Sequence, residues 1–335
     1  MKSTEYIPII DLQRSASGIC GDKFDTAQKL RTVSEGTGFF LIVGHGVQAS
    51  IVEKAYRATQ AFFELPLSDK LALRSDHDDP LMRGFGRQGS LSASNTDAVV
   101  ASERARPDLS ETYTINRLGE PIEVPGIPSH LNWHVRKPNK WPDIDGFRAA
   151  YLDYYHEMEG LARDLMSLFA LSLNLREDWF DSKIDQHMTN LTANYYPPLF
   201  SEPIPGQLRK GQHSDWGCLT ILYQDGGTEG LQILTKDGNW VDVPTIADAF
   251  VINIGDLMSI WTNDRWTSTV HRVVNPPAGK REQSRYSLPF FYQPNFHTVI
   301  ECIPGCNIDS ERAKHNPVKS GDYILEKFSR AYGKY

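Results

Sequence analysis

The sequence runs to 335 residues, 40% of them hydrophobic, with a formal net charge of −7. Such a length supports a sizeable buried core, the acidic balance argues against a nucleic-acid partner, and no apolar run reaches membrane-spanning length, so no membrane partner is expected. Cys20, Cys218, Cys302 and Cys306 form no C-x-x-C unit or disulfide framework, and no leader pattern opens the chain, which together predict a cytoplasmic protein acting on a small molecule.

In chain order, "YIPIIDL" (6–12) predicts a short strand, residues 23–35 a polar helix, and "GTGFFLIVGHGV" (36–47) a buried strand closing in a glycine-rich turn. A helix from Ala49 to Glu64 follows, then "LPLSDKLAL", where Ser68 or Asp69 is placed to cap a short helix. Residues 75–143 are rich in proline, glycine and charge, with short strands expected at 83–87 and 109–116.

Between Asp145 and Leu173, Phe147, Tyr151, Tyr154, Met158, Leu161, Leu165 and Leu168 recur at steps of three and four. That is the apolar seam of one long helix packed on a sheet. The texture then changes to short strands at 188–196, 213–223, 230–234, 239–243, 249–254, 265–274 and 284–293, with "KDGN" (236–239) as a hairpin turn. Such spacing indicates a sandwich or barrel. "SGDYILEKFSRAYGKY" closes the chain as a helix beginning near Ser320 or Asp322. The expected organisation is one domain: a mixed helical and strand part (1–185), a β core (186–300) and a helical tail (301–335).

The chemistry gathers in the β core. In "GQHSDWGCLT", His213 and Asp215 are two residues apart, a spacing that on a strand turns both to one side. His271, in "RWTSTVHRVVNPP", stands on a later predicted strand able to return beside them. Two histidines and a carboxylate on one face of an iron ion leave its other positions open. In "SRYSLPFFYQPN", period two puts Arg285, Ser287 and Phe291 on one face. An arginine offers a carboxylate two parallel charged hydrogen bonds and the serine adds a third, which suits the far end of a small dicarboxylic acid. Upstream, in "TANYYPP", Thr192, Asn194 and Tyr196 share a face and Tyr195 takes the other.

These motifs together, "HSD", "TVHRVVNPP", "RYS" and "NYYPP", resemble the Fe(II)/2-oxoglutarate-dependent oxygenases related to isopenicillin N synthase. "IPIIDL", "GTGFFLIVGHGV" and "FFELPLSDK" resemble that family's N-terminal region, so the likeness spans residues 6 to 300. The resemblance implies a mainly β fold, a distorted double-stranded β-helix (jelly roll) with an N-terminal helical region and a C-terminal helix. It implies Fe(II) on His213, Asp215 and His271, and 2-oxoglutarate on Arg285 and Ser287, with Asn194 and Tyr196 at positions that contact the cosubstrate. The implied reaction consumes dioxygen, converts 2-oxoglutarate to succinate and CO2, and oxidises a small organic metabolite, by hydroxylation with desaturation or ring closure as variants. Two other readings stay open: an iron oxidase working without 2-oxoglutarate, since some relatives use the same R-x-S pair for another anion, and a non-catalytic jelly-roll sensor binding an anion at Arg285.

For the substrate pocket, Phe291 shares the face of Arg285, and Trp216 adjoins the metal acid. By resemblance, Arg83, Phe85 and Tyr113 occupy segments that line substrate sites in relatives. "GQHSDWGCLTILYQD" and "STVHRVVNPP" resemble thymine hydroxylases, yet Thr192 stands where those enzymes carry an arginine for the pyrimidine. Other polar residues read as structural: His77 and Asp79 in a charged loop, His130 and His134 in poor helix sequence, His45 in a turn between glycines, and Cys218 as a small core residue. The C-terminal helix, by position, is a candidate lid.

Overall fold

The computed structural model describes residues 6–15, 18–19, 22–87, 106–120, 137–226, 229–307 and 313–332. His130 and His134 lie outside them. From the N-terminus come β1 (Ile9–Asp11), the small hairpin β2 (Arg14–Ser15) and β3 (Gly18–Ile19), helix α1 (Lys23–Glu35), β4 (Phe39–Val43), α2 (Ala49–Phe63), α3 (Leu67–Ala72), β5 (Gly84–Gly86) and β6 (Glu111–Asn116). The long helix α4 (Phe147–Ser172) and the short α5 (Asp181–Ile184) follow. The second half carries β7 (Asn190–Tyr196), β8 (Lys210–His213), β9 (Leu219–Gln224), β10 (Leu231–Leu234), β11 (Trp240–Asp242), β12 (Phe250–Ile254), α6 (Asp256–Trp261), β13 (His271–Val273) and β14 (Arg285–Tyr292). The pair β15 (Val299–Ile300) and β16 (Val318–Lys319) leads into α7 (Ser320–Tyr332).

Eight strands form one sheet in the order β1-β4-β12-β9-β14-β7-β6-β5, and four form a second in the order β11-β10-β13-β8. Only the β1–β4 pair of the large sheet runs parallel. This two-sheet, mainly antiparallel arrangement with flanking helices is the double-stranded β-helix that the resemblance implies.

The all-apolar run "FFLIV" has a simple cause: β4 is covered on both faces. Phe40 and Ile42 pack into the core that α1, α2 and α4 press onto the large sheet, whereas Phe39 and Leu41 pack with Tyr196, Leu231, Ile233, Val251 and Val273 between the two sheets. The seam of α4 is as the sequence predicts: all seven apolar positions named above are at most 1% exposed. Burying such side chains stabilises by roughly 1.5–3 kcal/mol each, which makes this helix the main cover of the sheet. Asp22 caps α1 by accepting from the amides of Phe24 and Asp25.

Several expectations need correction. Ser68 and Asp69 do not cap α3, whose first residue is Leu67 and which Pro66 precedes, so both lie inside its first turn. The stretch 213–223 is not one strand: β8 ends at His213 and β9 begins at Leu219, with Asp215 in the connecting loop. Nor is 265–274 a strand throughout, since only His271–Val273 pairs. Helix α6 has no signature in the sequence, because "GDLMSIW" is too short to show a period.

Candidate active site

His213 and His271 meet through the small sheet, where they are direct Cα partners across the β8–β13 ladder. Asp215 reaches them from the loop, which carries the chain from the small sheet to the large one. Its position is fixed by backbone rather than by strand alternation. The Asp256 amide, in the first turn of α6, donates to the Asp215 carbonyl at 2.7 Å. Behind this loop Gly255 allows close approach: a Cβ there would lie 2.3 Å from the Gly217 oxygen and 3.1 Å from that of Asp215.

The three side chains converge. Asp215 Oδ1 is 3.8 Å from His213 Nε2 and 3.7 Å from His271 Nε2, and all three donor atoms lie within 4.8 Å of one another. Each imidazole is oriented from behind, with Nδ1–H donating to a backbone carbonyl: His213 to Gly211 at 2.8 Å and His271 to Thr269 at 3.1 Å. That leaves both Nε2 lone pairs aimed at one point, the usual outer support of a metal-binding histidine. Burial, with help from the neighbouring His271, pushes the His213 pKa down to about 3, so the ring is neutral and free to donate. Burial alone would raise the Asp215 carboxyl, but the two imidazoles and its hydrogen bonds outweigh it and hold it below the usual range. Those bonds come to Oδ2 from Thr220 Oγ1 at 2.6 Å and Asn253 Nδ2 at 2.7 Å, so Oδ1 remains for an ion. A mixed nitrogen and oxygen set of this kind fits Fe(II).

Next to this cluster is a pocket of about 40 Å³ lined by Asn194, Tyr196, Arg285, Ser287 and Phe291 together with the three donors. Arg285 is 1% exposed, and its guanidinium lies 5.0 Å from the Tyr196 ring. Nη2 donates to Gln224 Oε1 at 3.2 Å, while Nε and Nη1 are buried with no partner. Leaving buried charged donors unmatched costs more than a hydrogen bond returns, so the arrangement calls for an anion. A carboxylate fits. Ser287 Oγ accepts from Asn194 Nδ2 at 3.4 Å on the same wall.

A larger cavity, about 130 Å³, opens from the other side of the donors. Thr192, Trp216 and Phe291 line it, joined by Met82, Met188 and Ile324 of α7. Strand β7 serves both spaces, with Asn190 and Thr192 on the larger and Asn194 and Tyr196 on the smaller. Arg83, Phe85 and Tyr113 do not line it. Phe85 and Tyr113 are Cα partners on β5 and β6 whose rings turn toward Phe62 and the helices. On β6 it is Thr112 and Thr114 that face the cavity, one residue out of step with the expectation. Arg83 is fully buried against Asp79, with Nη2 to Oδ1 and Nε to Oδ2 both at 2.8 Å. That pair accounts for Asp79, which joins no metal cluster among the described residues.

His45 is a turn residue, as expected: Nδ1 accepts from the Val47 amide at 3.1 Å and Nε2 meets the Asp248 carbonyl at 3.0 Å. Cys218 is fully buried in the core. Sequence reasoning missed Thr220, Asn253, Gln224 and Lys210. Asn253 carries a legible signal, a single amide inside the apolar run "FVINI".

Comparison with known proteins agrees with this geometry. Residues 188–294 match the profile of the 2OG-Fe(II) oxygenase superfamily, and residues 7–144 that of the non-haem dioxygenase in morphine synthesis N-terminal region. The 2-oxoglutarate-Fe(II) type oxidoreductase hxnY of Emericella nidulans is 32% identical over 98% of this chain and 90% of its own. The crystal structure of the full-length Neurospora crassa thymine hydroxylase in complex with alpha-KG and thymine superposes with a TM-score of 0.81 at 30% identity, covering 96% of each chain. JOX2 in complex with 2OG, Fe and JA gives a TM-score of 0.75 at 26% identity, covering 98% of this chain and 86% of that one. The chain belongs to the 2OG-Fe(II) oxygenases and is a 2-oxoglutarate-dependent dioxygenase that uses iron and dioxygen.

Proposed function

We propose that His213 Nε2, Asp215 Oδ1 and His271 Nε2 hold one Fe(II), that Arg285 and Ser287 hold the distal carboxylate of 2-oxoglutarate with Asn194 and Tyr196 beside it, and that a small organic metabolite in the larger cavity is hydroxylated. The observation that carries the cosubstrate reading is Arg285, a fully buried guanidinium with Nε and Nη1 unmatched, lining the pocket beside the three donors. When bound, iron and 2-oxoglutarate supply the activation of dioxygen, with succinate and CO2 released as the substrate is oxidised.

The chain's own residues set the geometry. Thr220 and Asn253 hold Asp215 so that one oxygen faces the ion. The carbonyls of Gly211 and Thr269 fix the imidazole tautomers. Trp216, Phe291 and Ile324 give the substrate an apolar, water-poor space next to the donors. Thr192 takes part in that wall, its hydroxyl 3.0 Å from that of Thr114.

A bound anion at Arg285 would also suit the oxidase and sensor readings, but both lack the support of relatives named as 2-oxoglutarate enzymes. No helix among the described residues is long and apolar enough to cross a membrane, and Cys218, Cys302 and Cys306 are free thiols. We propose on that basis that the chain works in the cytoplasm as one oxygenase unit.

The test is anaerobic. Fe(II) and then 2-oxoglutarate are added to metal-free protein, and the visible charge-transfer band of a chelated keto-acid is sought. Wild type should give the band and His271→Ala should not. Iron binding without a band would overturn the cosubstrate assignment, and no iron binding would overturn the metal assignment.

A further inference from the structure

One cation in the site has no role in the scheme above. On the register of β8 and β13, His213 pairs with His271 but Lys210 pairs with Val273. Two residues of β8, Gly211 and Gln212, therefore stand opposite the single Arg272. This is a β-bulge, and it changes which way the strand's side chains point. By strict alternation Lys210 would face away from His213. The bulge turns it to the same side, where it lines both the cosubstrate pocket and the larger cavity. The Gly211 amide is satisfied outside the ladder, by Asp108 Oδ1 at 2.9 Å.

Lys210 Nζ donates to Asn194 Oδ1 at 3.1 Å and makes no ion pair among the described residues. Three other charged side chains line these two spaces. Asp215 is a metal donor, Arg285 lies in the cosubstrate pocket, and Asp108 on the larger cavity has one oxygen on the Gly211 amide. With Fe(II), Asp215, Arg285 and a 2-oxoglutarate dianion in place, positive and negative charges cancel, and Lys210 and Asp108 remain. Asp108 already accepts from the Gly211 amide, whereas Lys210, at the junction of cosubstrate and substrate spaces, has Asn194 as its hydrogen-bond partner. A half-buried ammonium with only a neutral amide partner is a poor structural device and a good receptor for an anion.

We propose that Lys210 is a specificity-determining residue and that the substrate of this enzyme carries a carboxylate, which the Lys210 ammonium binds while the apolar body of the substrate lies against Trp216 and Phe291. The inference rests on the cosubstrate reading above, because Lys210 is free for the substrate only if Arg285 takes the 2-oxoglutarate carboxylate.

Benzoate and benzamide, alike in shape and different in charge, serve as probes. They are titrated anaerobically into the Fe(II)·2-oxoglutarate complex, following the charge-transfer band and tryptophan fluorescence. Wild type should bind benzoate about tenfold more tightly than benzamide, a difference of one charge-assisted contact. K210M should abolish that preference by weakening benzoate alone, K210R should restore most of it, and the 2-oxoglutarate dissociation constant should move by less than about threefold in either. Equal affinities in wild type overturn the proposal. So does a K210M protein that weakens 2-oxoglutarate about tenfold with the benzoate preference intact, which would assign the lysine to the cosubstrate. Should wild type form no 2-oxoglutarate band, the cosubstrate reading fails by itself, and the benzoate preference is then read by fluorescence on the Fe(II) protein.

Discussion

Thr220 on β9 and Asn253 on β12 are direct cross-strand partners, and both donate to the same oxygen of Asp215. A neighbouring pair in the large sheet thus holds a carboxylate whose histidine companions belong to the small one. The candidate metal cluster is a joint between the two sheets.

Removing one of these donors should loosen the joint without removing a ligand. We expect Asn253→Ala to weaken Fe(II) affinity by about 10–100-fold, the usual penalty for losing an outer-shell partner. Anaerobic titration against a chromogenic chelator measures it. An affinity within about twofold of wild type would show that Asp215 needs no such support.

Arg285 should dominate cosubstrate affinity. Truncating one side of a buried charged pair costs about 2–5 kcal/mol, so Arg285→Met should raise the 2-oxoglutarate dissociation constant by at least about 30-fold. Arg285→Lys should fall between, keeping the charge and losing the two-pronged geometry. If the methionine variant binds 2-oxoglutarate as wild type does, the distal carboxylate lies elsewhere.

His45 predicts a pH dependence of stability. Burial lowers its pKa below 6.5 in the folded protein, and its Nδ1 already accepts from the Val47 amide, so protonation has no place to go. The unfolded chain therefore binds more protons between the two pKa values, and stability rises with pH through that window and is lost as pH falls below about 6.5. His45→Asn should be less stable at neutral pH but flatter from about pH 7 to about pH 5. Urea midpoints at several pH values decide this, and parallel curves for the two proteins would refute it.

Asp256 links the metal loop to α7. Its amide holds the Asp215 carbonyl, while Oδ2 receives Tyr323 Oη at 2.9 Å and Lys327 Nζ at 3.0 Å from the C-terminal helix. Ile324, on that helix, walls the larger cavity. Asp256→Ala should speed hydrogen exchange of the α7 amides by about tenfold, the equivalent of one charged hydrogen bond, and leave the β12 amides unchanged. Uniform acceleration would mean global destabilisation rather than release of a lid.

Much of this is legible in the sequence because the signals are local. The α4 seam, the apolar β4 and the hairpin at 236–239 each follow from a period or a turn chemistry confined to a few residues. His213, Asp215 and His271 are legible as a set, yet for Asp215 the expected cause is wrong, since it lies in a loop held by the Asp256 amide of α6 and is not placed by strand alternation. Parity explains the other errors. A bulge at Gly211 and Gln212 reverses the face of Lys210, and its one signal in "RKGQHSD" is the glycine within the strand. On β6 the resemblance points the pocket assignment at Tyr113, whereas Thr112 and Thr114, on the opposite face of the strand, line the cavity. Arg83 shows a related limit: the resemblance puts its segment at the substrate site, and only the fold shows Asp79 beneath it.

The order of the large sheet bears on how the molecule comes apart. β4 hydrogen-bonds to β12 and β6 to β7, so strands from the first 185 residues flank, on both edges, the four central strands that come from the rest. Cutting the chain between them would bare two unpaired strand edges on buried apolar faces, the condition that drives aggregation. We therefore expect the two stretches that match separate family profiles to fold as one unit. Heat should melt them in a single calorimetric transition, with equal van't Hoff and calorimetric enthalpies, and two resolved peaks would show that the shared ladder does not couple them.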